Sequence, residues 1–245
     1  NPTISQLQPV RDNSNPNFIN IGNPNLLPTF MHSINLNFNS WKSISGKYTW
    51  MGLTYNYTNN DIATATTYDS IGRTVSQAIN VNGNFNFNGY IGTSLPFFSK
   101  KLEVGPNLWA SYSENKSFIN GLANNTQDLR SNLALDVRLN LDDFSAGISG
   151  YYSYNSAYSS LNNSSNTPYS TQGVSGNISA KLPKNFLLES NADYTINSRR
   201  SNGYNINYLV WNASFSKTFF KRENFILGVY AYDILNQNIS VDRDI

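Results

Sequence analysis

From Val75 to Leu95 the chain reads VSQAINVNGNFNFNGYIGTSL, and its apolar residues keep one parity: Ile79, Val81, Phe85, Phe87, Ile91 and Leu95, against Asn80, Asn82, Asn84, Asn86 and Asn88 on the other. A period of two is the repeat of a β-strand, whose successive side chains point to opposite faces. Read as a single strand, the run far exceeds the roughly five or six residues usual in globular sheets. It passes the about nine to eleven that a tilted strand needs to cross a bilayer. The second face narrows the choice. A soluble sheet turns Lys, Glu, Asp and Arg towards water, whereas this parity carries Asn, Gly and Ser. Charged residues make up 13% of the chain and aromatics 14%, the first about half the roughly 25% of an average soluble domain. Apolar side chains towards lipid and small polar ones towards a wet lumen satisfy both parities. A closed barrel is the form in which such strands leave no backbone group unpaired in hydrocarbon.

The rest of the composition agrees. The 245 residues hold 17 Lys plus Arg and 15 Asp plus Glu, a net charge of +2, so no strong field points to nucleic acid. There is no cysteine, which excludes disulfides and thiolate metal sites. No run of about eighteen apolar residues exists to make a helical span. The opening NPTISQLQPV has neither the basic nor the apolar region of a signal peptide.

In chain order, residues 1–29 are rich in Asn and Pro and read as an irregular extracellular loop. Residues 30–235 then alternate strands with connections that are short, then long. The predicted fold is all-β: an antiparallel up-and-down transmembrane β-barrel wall of about ten strands, with tight periplasmic turns and long extracellular loops. Segments Thr58–Thr74, Ser113–Asp128, Ser156–Gln172 and Asn197–Gly203 are the expected loops. A parity change near Val210 and Trp211 predicts a bulge. Short turns carry Lys42, Lys47, Lys100, Lys101, Lys184, Lys221 and Arg222, flanked by Trp41, Trp50, Phe97, Phe98, Phe219 and Phe220, an arrangement expected of an interfacial girdle. Residues 236–245 begin a further extracellular loop. Both ends thus lie on the long-loop side, so the expectation is an arc cut from a larger wall.

Two segments resemble a known family. PTISQLQP and GNPNLLP, within Pro2–Pro28, resemble the loop region before the later strands of TonB-dependent outer-membrane receptors, and YDILNQN, Tyr232–Asn238, resembles their penultimate-strand signature. Together with the strand spacing, the likeness runs over nearly the whole chain, as the C-terminal part of the barrel in the outer membrane protein beta-barrel group. The resemblance implies a barrel of about 22 strands closed around an N-terminal plug, in the outer membrane of a Gram-negative bacterium. It further implies uptake of a solute through coupling to a TonB-type protein by way of a plug that this chain lacks. A surface lipoprotein is an additional partner of such receptors, and no cofactor is implied.

Candidate residues follow from facing. Phe85, Phe87, Leu133, Leu135, Val137 and Ile148 are expected to meet lipid. Glu103, Asp136, Arg138, Lys181, Glu189 and Asp193 fall on the lumen parity, where they either contact a plug or solute or pair with one another. Tyr68, Phe118, Tyr158 and Tyr169 lie in the expected loops, where aromatics amid Asn and Ser suit ligand contact; solvated loop filler is the plainer account of each. Two other functions compete: a binding or adhesin barrel without transport, and a rim-site barrel protease built on His32 with Asp61 to orient it. His32 shares the parity of Ile34, Leu36 and Phe38, which turns it outward and weighs against catalysis. No nucleophile elbow, phosphate loop or Cys/His metal spacing is present.

Overall fold

The structure, a computed structural model, describes residues 1–162, 168–198, 207–220 and 225–238, apart from the side chains of residues 13, 197 and 198. Lys221, Arg222, residues 199–203 and residues 239–245 lie outside them. The chain forms a short helix α1 (Ile4–Leu7), a hairpin of β1 (Arg11–Asn15) and β2 (Phe18–Ile21), strands β3 (Phe30–Lys42) and β4 (Lys47–Asn59), and a second hairpin of β5 (Asp61–Tyr68) and β6 (Thr74–Val81). It continues with β7 (Asn84–Phe97), β8 (Leu102–Ile119), β9 (Leu122–Asn140), β10 (Phe144–Ser159), β11 (Tyr169–Leu182), β12 (Phe186–Ser198), β13 (Tyr208–Phe219) and β14 (Phe225–Ala231). Ten of these, β3, β4 and β7 to β14, make one antiparallel up-and-down wall. Among the described residues the sheet stays open, with β3 paired only to β4 and β14 only to β13.

The wall is sheared by a constant step. One row of register partners runs Asn39–Trp50–Gly92–Asn107–Ala134–Tyr151–Gly173–Thr195–Tyr208 across nine strands. The short turns close three residues beyond that row in β3 (at Lys42), five in β7 (Phe97), seven after Ala134 (Leu141), nine in β11 (Leu182) and eleven in β13 (Phe219). Two residues per hairpin is one per strand. With a rise of about 3.3 Å per residue against about 4.8 Å between strands, that stagger tilts the strands by roughly 35°, within the range of membrane barrels.

The run from Val75 to Leu95 is not one strand. Asn82 and Gly83 interrupt it, Gly83 at φ +90°, and the interruption spans two residues, so the parity of the apolar residues continues unchanged across the break. β6 leaves the wall to pair with β5 and, in parallel, with β2. The asparagines at this corner therefore stitch chain segments together and do not line a lumen. Asn80 Oδ1 accepts from Leu27 N at 2.7 Å and its amide donates to the carbonyls of Leu27 and Asn60, while Asn82 Oδ1 accepts from Asn60 N at 2.7 Å. Asn84, only 6% exposed, donates to Asp61 Oδ2 at 2.8 Å and accepts from Lys116 N at 2.9 Å.

Three other expectations change. Ser113–Asp128 is a paired hairpin, because β8 and β9 continue their ladder through Ile119↔Leu122; polar residues above a membrane pair as readily as apolar ones within it. Val210 opposes Asp193 in an unbroken ladder from Tyr208 to Lys217, so there is no bulge: an apolar residue simply stands on the polar face. Residues 1–29 carry a helix and a hairpin. Helix α1 is closed by a capping box between Thr3 and Gln6.

GNPNLLP is the piece that fastens this N-terminal segment. Asn23 N donates to the Gln6 carbonyl at 2.6 Å, Asn23 Nδ2 donates to the Ala78 carbonyl at 3.0 Å, and Leu26 is buried. Gly22 lies so close to helix α1 that a Cβ there would fall 1.8 Å from the Gln8 carbonyl oxygen. A one-layer wall has no interior of its own. The only buried apolar residues among those described, Ile19, Leu26 and Val81, belong to this N-terminal cluster. Gly22→Ala is expected to cost about 1–3 kcal/mol of docking by overpacking against backbone. Limited proteolysis should then cleave residues 1–21 faster while the wall stays intact, whereas Gly150→Ala, whose nearest contact is a carbonyl at 3.9 Å, should leave the pattern unchanged.

Candidate functional site

Residues directly opposite in a ladder share a face, so register assigns every wall side chain to one of two surfaces. Phe85, Phe87, Leu133, Leu135, Val137 and Ile148 share one of them with Ile34, Leu36, Phe38 and Met51. Glu103, Asp136, Arg138, Lys181, Glu189 and Asp193 all stand on the other. The charges form two groups, Glu103, Asp136 and Arg138 on β8 and β9, and Lys181, Glu189 and Asp193 on β11 and β12, with β10 between them.

Their four carboxylates are held by hydroxyls and amides. Ser94 Oγ donates to Glu103 Oε1 at 2.9 Å, Ser149 Oγ to Asp136 Oδ1 at 2.7 Å, Ser214 Oγ to Glu189 Oε2 at 3.2 Å and Asn191 Nδ2 to Asp193 Oδ2 at 3.1 Å. Glu103 and Arg138 are opposite in register. Even so, the one ion pair within 4.0 Å among the described residues is Arg73–Asp69, so mutual pairing does not organise this face. Each carboxylate keeps acceptor capacity for water or a solute.

The aromatics on the polar face went unread in the sequence. Trp41 and Trp50 stand opposite Tyr48 and Asn39 on that face, so they do not belong to a lipid-facing girdle; Phe97 and Phe219, on the apolar face, fit one. Tyr90 and Trp109 are opposite each other on the polar face, and Tyr151 opposes Gly173 there. The rings lie across glycines of the next strand. A Cβ on Gly92 would fall 2.3–2.9 Å from Trp50 ring atoms, one on Gly52 2.4–2.6 Å from Tyr90, and one on Gly173 2.5–2.9 Å from Tyr151. Each glycine leaves room for a ring to lie over the backbone of the neighbouring strand.

At the short-turn end these rings bound a recess of about 650 Å³. Trp41, Tyr48, Trp50 and Tyr90 line it, with Asn39, Ser94, Lys100 and Glu103 among them. Tyr48 and Trp50 stack at 5.2 Å with planes 24° apart. Tyr48 Oη donates to Asn39 Oδ1 at 2.9 Å and Tyr90 Oη to Asn37 Oδ1 at 3.3 Å. The turn that delivers Lys100 holds three successive non-glycine residues in the left-handed region, Phe98, Ser99 and Lys100 at φ 49°, 56° and 69°, a conformation costing about 1–2 kcal/mol per residue.

The four loop aromatics do not converge. Tyr68 ends β5, its N–H bonded to Asn120 Oδ1 at 2.9 Å. Phe118 opposes Ala123, Tyr158 opposes Gln127, and Tyr169 opposes Asn155. All four are strand residues, Tyr68 in the β5–β6 hairpin and the other three in wall strands whose ladders continue through polar residues. His32 lies on the apolar face among Phe30 and Tyr57 and within 3.3 Å of Asn59 Nδ2. The Asp61 carboxylate is engaged by Asn84. No group of three His, Asp or Glu among the described residues is spaced to hold a metal.

YDILNQN is a compact turn, and β14 ends at Ala231 before it, short of the Leu235 expected. Asp233, at φ 46°, accepts from the N–H groups of Gln237 at 2.9 Å and Asn238 at 3.1 Å, while Ile234 N donates to the Trp211 carbonyl. The turn thus folds back onto β13.

A family model described as the outer membrane protein beta-barrel family matches residues 1–153 and 140–243. No curated protein and no solved structure matches the chain.

In the β5–β6 hairpin, Asp69 clips the turn. Arg73 Nε donates to Oδ2 at 2.6 Å, and the N–H groups of Arg73 and Ile71 donate to Oδ1. The Arg73 side chain, foremost, holds this carboxyl below its ordinary value. A lowered folded-state value means the clip is present above the ordinary carboxylate range and is lost as pH falls through the lowered one. An NMR titration of the Asp69 carboxyl carbon is expected to show a midpoint below that of an unperturbed aspartate, and Arg73→Gln should move it upward.

Proposed function

The chain belongs to the outer membrane protein beta-barrel family, which implies an outer-membrane location, and from that membership we propose that its wall is part of a TonB-dependent receptor taking up a solute in a Gram-negative bacterium. The observation that carries the reading is the pair of open edges, β3 and β14, on a sheet of constant shear. Unpaired backbone groups in hydrocarbon cost several kcal/mol each, so the two edges call for further strands, and about 22 in all would leave room for a plug. The two segments that resemble such receptors, GNPNLLP with PTISQLQP and YDILNQN, add support to it. The inner charges face the plug or the solute in this reading. Outer-membrane lipid covers the opposite face, and the partners are a TonB-type protein acting through the plug and a surface lipoprotein.

Two measurements test it. In planar bilayers the full-length protein is expected to pass almost no ion current until urea unfolds the plug; a pore open from the start would overturn the receptor reading. For the facing, Leu133→Arg should cost about 2–4 kcal/mol of folding free energy in lipid vesicles, with Asn86→Arg on the polar face costing much less. Equal losses at the two positions would contradict lipid contact on the Leu133 face.

A further inference from the structure

We propose that the recess at the short-turn end of the polar face is a binding site for a neutral saccharide. The inference rests on that face lining the lumen, and it adds a ligand class that the uptake reading leaves open.

The recess combines two kinds of surface. Trp50 and Tyr90 lie over Gly92 and Gly52, and Tyr48 stacks on Trp50 at 5.2 Å, so that the three rings, with Tyr90 44% exposed, line the recess as an aromatic platform. Beside them stand one acid, Glu103, and one base, Lys100, with the Asn39 amide and the Ser94 hydroxyl. An apolar ligand would cover these polar groups without pairing them, which is unfavourable for each group left unpaired. The opposed charges leave the recess without net sign, so an anion meets Glu103 and a cation meets Lys100. A sugar ring meets both demands: its C–H face lies on an aromatic ring, and its hydroxyls both donate and accept. Flat aromatic area gives contact at little entropic cost.

The recess is also held in place. Gly46, at φ +73°, leaves room for the Lys100 stem, and a Cβ there would sit 2.9 Å from Lys100 Cε. Phe98, Ser99 and Lys100 are all left-handed in the turn that brings this stem across. Ser94 fixes the Glu103 carboxylate at 2.9 Å. Maintained backbone strain beside a preformed recess marks a position set by more than local preference.

The test is isothermal titration of the full-length protein in detergent with maltohexaose, cellohexaose and xylohexaose, and with adenosine as a planar competitor. At least one hexasaccharide is expected to bind. Trp50→Ala should weaken it by about tenfold or more, Trp50→Phe and Glu103→Gln by less, and Trp211→Phe on the opposite face not at all. Each variant is first checked for the heat-modifiable gel mobility of a folded barrel. If Trp50→Ala fails that check, Trp50→Phe and Glu103→Gln decide. Binding by none of the three sugars, unchanged binding in the recess variants, or binding of adenosine alone would overturn the proposal. Because the titration requires no energy coupling, a protein that binds sugar yet forms an open pore would remove the receptor reading and keep this one.

Discussion

In a wall one strand thick, the interstrand hydrogen bonds have no packed core to assist them. Every residue of β3, β4 and β7 to β14 stands on one of two surfaces, and no large side chain among those described is fully buried. What fixes the structure is the ladder and its register, because a slip by one residue would exchange the two faces along a whole strand. Leu133, Leu135 and Val137 would then stand where Asp136 and Arg138 are. The ten-strand sheet keeps an unbroken register in every wall pairing between β8 and β14, and the two-sided chemistry follows from that.

Much of this was legible in the sequence, and the reason is the period. Alternation at Leu133 to Leu141, at Phe144 to Ile148 and at Val174 to Leu182 assigns faces directly, and short turns such as Asp142-Asp143 mark the hairpins. The failures have two physical origins. Parity is blind to an even-numbered interruption, so Asn82-Gly83 passed unnoticed and Asn80, Asn82 and Asn84 were placed in a lumen that they do not line. Polarity is equally blind to pairing, so the β8–β9 extension looked like a loop. An Asn-Gly pair between alternating runs is a turn signal in its own right, and it was the one local cue able to correct the reading.

The aromatic recess was hidden for a different reason. Trp41 and Trp50 flank a short, Lys-bearing turn, which is also where interfacial aromatics are found, and composition near a turn says nothing about which side a ring takes. Counting residues back along the strand does: Trp50 is one residue out of phase with Met51 and Leu53. The glycines opposite the rings carry the second half of the signal, which emerges only once register is known. Gly52, Gly92 and Gly173 are then the positions where the wall accepts a ring lying flat, an exchange of strand propensity for cross-strand cover.

The constant step of two residues per hairpin has a consequence for how such walls vary in size. Because each hairpin is offset from its neighbour by the same amount as the one before, any hairpin meets a surface equivalent to the one its predecessor met. Duplicating or deleting one unit leaves the local tilt and the local register as they were, and alters only the circumference. A sheet of this kind behaves as a tiling, in which the girth of a barrel is free to drift while the geometry of each tile is conserved.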